Sequence, residues 1–65
     1  MRFALKLIDQ EPMFLSAYYA STGETFWTIN IADACSYSSF YKAIVAKNDV
    51  LTRTAKSLEI ISVVF

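Results

Sequence analysis

Sixty-five residues, 55% hydrophobic, 18% charged and with no formal net charge, make one small domain spanning 1–65 and exclude intrinsic disorder, which needs low hydrophobicity and high net charge. The charge balance also excludes a strongly basic nucleic-acid module and a strongly acidic DNA mimic, and the absence of His removes the commonest general base and the commonest metal ligand. The single cysteine, Cys35, forbids an intrachain disulfide and, without His, an ordinary zinc site, so the staple left to so short a chain is oligomerisation or burial against a partner.

Residues 2–9 alternate, with Phe3, Leu5 and Leu7 on one face and Arg2, Ala4, Lys6 and Ile8 on the other, which predicts a strand. Asp9-Gln10-Glu11-Pro12 is a polar turn that ends it. Residues 13–20 form a second strand, with Met13, Leu15, Ala17 and Tyr19 on one face and Phe14, Ser16 and Tyr18 on the other. Ser21-Thr22-Gly23-Glu24 is a hairpin turn in which Gly23, the only glycine, supplies a positive φ. Residues 25–30 are a third strand, rich in aromatic and β-branched side chains.

Ser39 stands where a hydroxyl caps a helix. Phe40, Ala43, Ile44 and Lys47 form that helix's stripe, Lys42, Ala46 and Asp49 read as solvated, and Asn48 or Asp49 ends it. Val50 to Ser57 reads as a polar connection carrying Arg53 and Lys56. Residues 58–65 are a last strand, apolar on both faces and so central or covered. The expected fold is α+β: a four-stranded sheet with one helix packed on one face, in β-β-β-α-β order. The expected sheet order is 3-2-1-4, with the last strand parallel to the first across a right-handed crossover.

The chemistry is sparse. Ser36, Ser38 and Ser39 have no His to activate them; a Ser–Lys pair with Lys42 is weaker than the reading of Ser38 or Ser39 as a cap. Cys35 reads as a small buried hydrophobe. The carboxylates Asp9, Glu11, Glu24, Asp33, Asp49 and Glu59 show no spacing that implies a shared cleft, and one glycine cannot make a phosphate-cradling loop. No enzyme, cofactor or metal is expected. Lys42, Lys47, Arg53 and Lys56 against Asp49 give residues 42–56 a balance of +3, small for an electrostatic footprint on nucleic acid. A weak single-strand binder using Tyr18, Tyr19 and Trp27 is therefore a lesser reading.

The apolar inventory exceeds what one short helix covers, and Tyr, Trp, Phe and Met are the residues enriched in interface cores. The expected contacts with a protein partner are Tyr37, Phe40 and Tyr41 around the helix, Tyr18, Tyr19 and Trp27 on the sheet, and Arg53 and Lys56 as secondary polar contacts. A homodimer that hides the same surplus is the alternative, as a small structural protein whose dimer is the functional unit. Lys6 and Asp9 interrupt any signal-peptide core, and no apolar run approaches the roughly 20 residues of a membrane span. A cytoplasmic protein without membrane contact is expected.

Trp27-Thr28 and Ile31, then Asp33-Ala34, Tyr37, Ser39 and Ala43, resemble a strand-to-helix pattern of small phage- and prophage-encoded accessory proteins. Phe14-Leu15-Ser16-Ala17-Tyr18 with Thr22-Gly23-Glu24 is similar to that group's hairpin, and Leu58-Glu59-Ile60-Ile61-Ser62-Val63 to its closing strand. The resemblance implies an inhibitor of a host enzyme or bacterial defence component, acting in the host cytoplasm by occupying a surface. The group carries acidic residues in the first helical turn, where the helix dipole favours them. Here Phe40-Tyr41-Lys42 stand instead, which marks Tyr37, Phe40 and Tyr41 as a contact patch.

Overall fold

Alternation builds the sheet, and an apolar stripe around the buried Ala43 and Val50 places the helix on it. The computed structural model describes residues 1–8 and 12–63; Asp9, Gln10 and Glu11 of the expected turn, and Val64 and Phe65 of the last strand, lie outside the described residues. Strands β1 (Arg2–Leu7), β2 (Phe14–Tyr19) and β3 (Glu24–Thr28) precede helix α1 (Phe40–Thr54) and strand β4 (Leu58–Val63). The sheet order is β3-β2-β1-β4, with one helix on one face, an α+β fold. Gly23 turns the β2–β3 hairpin with φ +77°, its N–H donating to Tyr19 O at 2.7 Å.

The order is as expected, but β4 runs antiparallel to β1, in register from Arg2↔Val63 to Leu7↔Leu58. The expected crossover assumed that the helix alone carries the chain back along the sheet. Instead the return is made before the helix. After β3 the chain makes one 3-10 turn over Ile31–Asp33, capped by Asn30 Oδ1 accepting from Ala32 N–H at 3.0 Å. It then runs extended beside the sheet. Cys35 N–H donates to Leu15 O at 2.9 Å, and Tyr37 exchanges backbone hydrogen bonds of 2.8 and 2.9 Å with Phe3. Helix α1 thus starts next to Phe3, whose ring meets that of Phe40 edge-on at 5.6 Å. It runs the same way as β1, and β4 returns antiparallel.

Residues 35–37 fill a seam. β1 and β2 pair at Lys6↔Phe14, and Leu7 N–H reaches Met13 O at 2.9 Å. Past that point the two strands part, and Cys35–Tyr37 bond to Leu15 on one side and Phe3 on the other. The parting coincides with a β-bulge in β2, where Ser16 drops out of register between Leu15↔Trp27 and Ala17↔Phe26. A bulge reverses which residues face which side. Met13, Leu15 and Tyr18 therefore face the helix, with Phe14, Ala17 and Tyr19 on the outer side, correcting the strict alternation expected of residues 13–20.

The core joins Leu5, Leu7, Leu15 and Leu58 of the sheet to Ala43 and Val50 of α1. Ala43, Ala46 and Val50 are spaced as one helical face, and Val50 is fully buried. This is why α1 does not stop at Asn48 or Asp49 but continues to Thr54, ending on Ala55 at φ 59°. Arg53 accordingly sits in the last helical turn rather than in a loop, and Lys56 in the short connection before β4. At the other end Ser39 caps the helix as expected, its Oγ accepting from Lys42 N–H at 3.1 Å. No helix among the described residues is long and apolar enough to cross a membrane.

Candidate functional site

Helix α1 covers β1 and β4, and the helix-facing side of β2 is left partly open. Between them lies a groove of about 560 Å³, within the roughly 300–1,000 Å³ range of small binding sites. Three segments supply its walls. Tyr18 and Ala20 come from the end of β2, Cys35 and Tyr37 from the seam, and Tyr41, Lys42, Val45, Ala46 and Asp49 from α1. The bulge at Ser16 makes Tyr18 a wall residue, because without it the ring would face the opposite side of the sheet. The bridge to Phe3 fixes Tyr37.

Two of the groove's polar groups, Tyr18 and Asp49, are tied to each other. The Tyr18 hydroxyl donates to Asp49 Oδ2. Asp49 Oδ1 lies 3.6 Å from Arg53 Nε, one helical turn on. Arg53 also closes over the hairpin tip, where a Cβ at Gly23 would stand 3.3 Å from its Nη1. The chain Tyr18–Asp49–Arg53 thus ties the hairpin to the C-terminal half of α1. Lys42 makes no ion pair among the described residues. Tyr41 is 74% exposed and Val45 51%, so both offer surface at the rim without contributing to the core.

Desolvation raises the Tyr37 phenol well above its ordinary pKa, with the adjacent Cys35 thiol adding to the effect. Tyr18 is raised too, first by desolvation and then by its hydrogen bond to Asp49. A phenol raised on folding favours the folded state fully below the unfolded value of about 10, and that contribution fades as pH rises through the folded value. Thermal unfolding should therefore show a Tm insensitive to these groups at neutral pH and falling above about pH 10. Tyr37→Phe should flatten that fall, and a decline identical in wild type and variant would show that the phenol is not protected.

No family model, no curated protein and no solved structure matches the chain. The geometry of its own residues therefore carries the functional reading.

Of the residues expected at a contact surface, Tyr18, Tyr37 and Tyr41 converge on the groove. Arg53 stands behind it on Asp49. The others are dispersed. Tyr19 is on the outer sheet face, edge-on to Phe26 at 5.9 Å. Trp27 packs against the core cluster beneath the helix, which gives it a structural role. Phe40 lies on the opposite flank of α1, against Phe3, and Lys56 is exposed near the start of β4.

Lys42, Val45, Ala46, Asp49 and Cys35 were not among the expected contacts, yet all line the groove. Ala46 and Asp49, read from sequence as solvated, are half-buried. The i,i+3,i+7 spacing of Ala43, Ala46 and Val50 is the sequence signal for Ala46. The Asp49–Arg53 spacing is the signal for a helix that persists beyond Asn48. Among the described residues no group of three or more Cys, Asp or Glu is placed to hold a metal ion.

Proposed function

We propose that this chain is a non-enzymatic protein-binding module whose contact surface is the groove between α1 and β2. The observation that carries this reading is the convergence of Tyr18, Tyr37 and Tyr41, from three separate segments, on one open, largely apolar channel. Among the described residues the one carboxylate lining it, Asp49, is engaged by the Tyr18 hydroxyl and the Arg53 guanidinium. That arrangement presents shape and apolar surface, which is what a binding site requires. In keeping with the sequence resemblance to phage and prophage accessory proteins, the module acts as an inhibitor by occupying a surface of a host or defence protein in the host cytoplasm.

A second reading, a homodimer as the functional unit, is favoured by a different observation. β4 is an edge strand paired on one side only, through six regular register positions, and regular edges invite another strand. Helix geometry sets Phe40, Ile44 and Leu51 along the flank of α1 opposite the groove, where Phe40 is 53% and Leu51 40% exposed.

One experiment addresses both. A bacterial protein retained on the immobilised chain would be purified and titrated against wild type, Tyr41→Ala and Phe26→Ser. Tyr41→Ala should weaken the complex by about 2 kcal/mol, the scale of an interface hot spot, while Phe26→Ser on the outer face should leave it unchanged. Equal affinity for wild type and Tyr41→Ala would overturn the groove reading. Sedimentation of the chain alone as a dimer that Leu51→Lys dissociates would support the second.

A further inference from the structure

We infer that the partner segment seated in this groove is acidic: an aromatic or branched apolar side chain flanked by Asp or Glu, its carboxylate set against Lys42 at the start of α1. This rests on the groove being the binding surface and goes further by fixing the chemistry of what binds there.

Charge complementarity carries the inference. Among the described residues Asp49 is the only acid lining the groove, and its carboxylate is occupied by the Tyr18 hydroxyl and the Arg53 guanidinium. Lys42 is the only cation lining it and has no ion-pair partner among the described residues. The uncompensated charge of the groove is therefore positive. The helix strengthens it. The first turn of α1 holds no acidic residue, although the positive end of a helix favours one. A lysine there is disfavoured by the dipole, and a carboxylate brought by a partner relieves both charges at once. Tyr41, Val45 and Ala46 give the apolar side chain its wall.

A peptide fits this pattern better than single-stranded nucleic acid. A phosphate backbone needs a row of free cations to follow, and the lining supplies one, since Arg53 is held by Asp49. The Tyr18 hydroxyl is held by Asp49, and Tyr41 is the groove ring with most of its surface free.

The test is selection of a random peptide library on the immobilised full chain, run in parallel on Lys42→Gln, Lys42→Glu and Val45→Asp. Lys42 and Val45 are exposed, and circular dichroism verifies that each variant retains the fold. Wild type should enrich peptides that combine an apolar side chain with neighbouring Asp or Glu. An enriched acidic peptide, resynthesised, should bind Lys42→Gln about tenfold more weakly, the scale of a lost charged hydrogen bond. Lys42→Glu should abolish the acidic bias and Val45→Asp the enrichment itself. Peptides that depend on Val45 but are neutral or basic would overturn the acidic partner and leave the groove as a binding surface. Enrichment unaffected by Val45→Asp would overturn both. Tighter binding of an oligothymidylate than of any selected peptide, lost in Lys42→Gln, would overturn the inference in favour of nucleic acid.

Discussion

Leu15→Ala is expected to leave much of the chain unfolded at 37 °C. Leu15 is fully buried. Its side chain packs in the cluster with Leu5, Ala43 and Val50, beneath the helix. Its backbone stands opposite Trp27 on one side and accepts from Cys35 N–H on the other. It is the residue at which β2, β3, the seam and the helix meet. Truncating a buried leucine costs about 2–5 kcal/mol, and the core of a domain this short supplies roughly 3–5 kcal/mol in all. Urea denaturation followed by far-ultraviolet circular dichroism would measure the loss. A midpoint close to wild type would mean that the junction is held by backbone bonding rather than by this side chain. Surface changes such as Tyr41→Ala, which remove no core contact, should shift the same transition by no more than about 0.5 kcal/mol.

The order of strands was legible because each strand has a local signal: alternation in β1, a glycine turn before β3, aromatic and β-branched density within it. The Ser39 cap was legible for the same reason, since it is a contact over three residues. Strand direction was not. Whether β4 is parallel or antiparallel to β1 depends on how far the chain travels between Thr28 and Phe40. That distance is set by two long-range bonds, Cys35 to Leu15 and Tyr37 to Phe3. Nothing in the composition of residues 29–39 announces them. The bulge at Ser16 was invisible in the same way. A serine in an aromatic strand fits ordinary alternation as well as it fits a bulge, and the choice is made by a neighbour, residues 35–37 entering where β2 leaves β1.

The groove was half legible. Three of its tyrosines stand out as aromatic residues beyond the needs of a short core. That they converge, while Tyr19 and Phe40 do not, follows from the bulge and from the seam. The helix ends at Thr54 rather than at Asn48 or Asp49 for a physical reason. Asn48 and Asp49 are residues that favour caps and turns because their side chains compete for backbone groups. At Asp49 that competition is removed, because Tyr18 and Arg53 occupy the carboxylate. Burial of Val50 then carries the helix past it. The same tertiary contact thus lengthens α1 and builds the polar end of the groove.

Ala43→Leu should uncouple that construction from the opposite direction. Ala43 is fully buried and stands in the core between α1 and the sheet. A methyl group there sets how closely the helix approaches Leu5 and Leu58. A leucine adds three carbons where no space is free, and overpacking of this kind costs about 1–3 kcal/mol. The helix can yield only by lifting or rolling, since β1 and β4 are locked by six register pairs. Lys42, Val45, Ala46 and Asp49 move with it, whereas Tyr18 and Tyr37 stay with the sheet. The Tyr18–Asp49 bond should therefore be lost even in molecules that remain folded. The expected result is a lowered unfolding midpoint together with an alkaline titration of Tyr18 shifted back toward the ordinary phenol value, read by tyrosinate absorbance with Tyr18→Phe as the subtraction control. A destabilised variant whose Tyr18 titration matched wild type would show that strain is absorbed within the core and that groove geometry does not depend on the closeness of the helix.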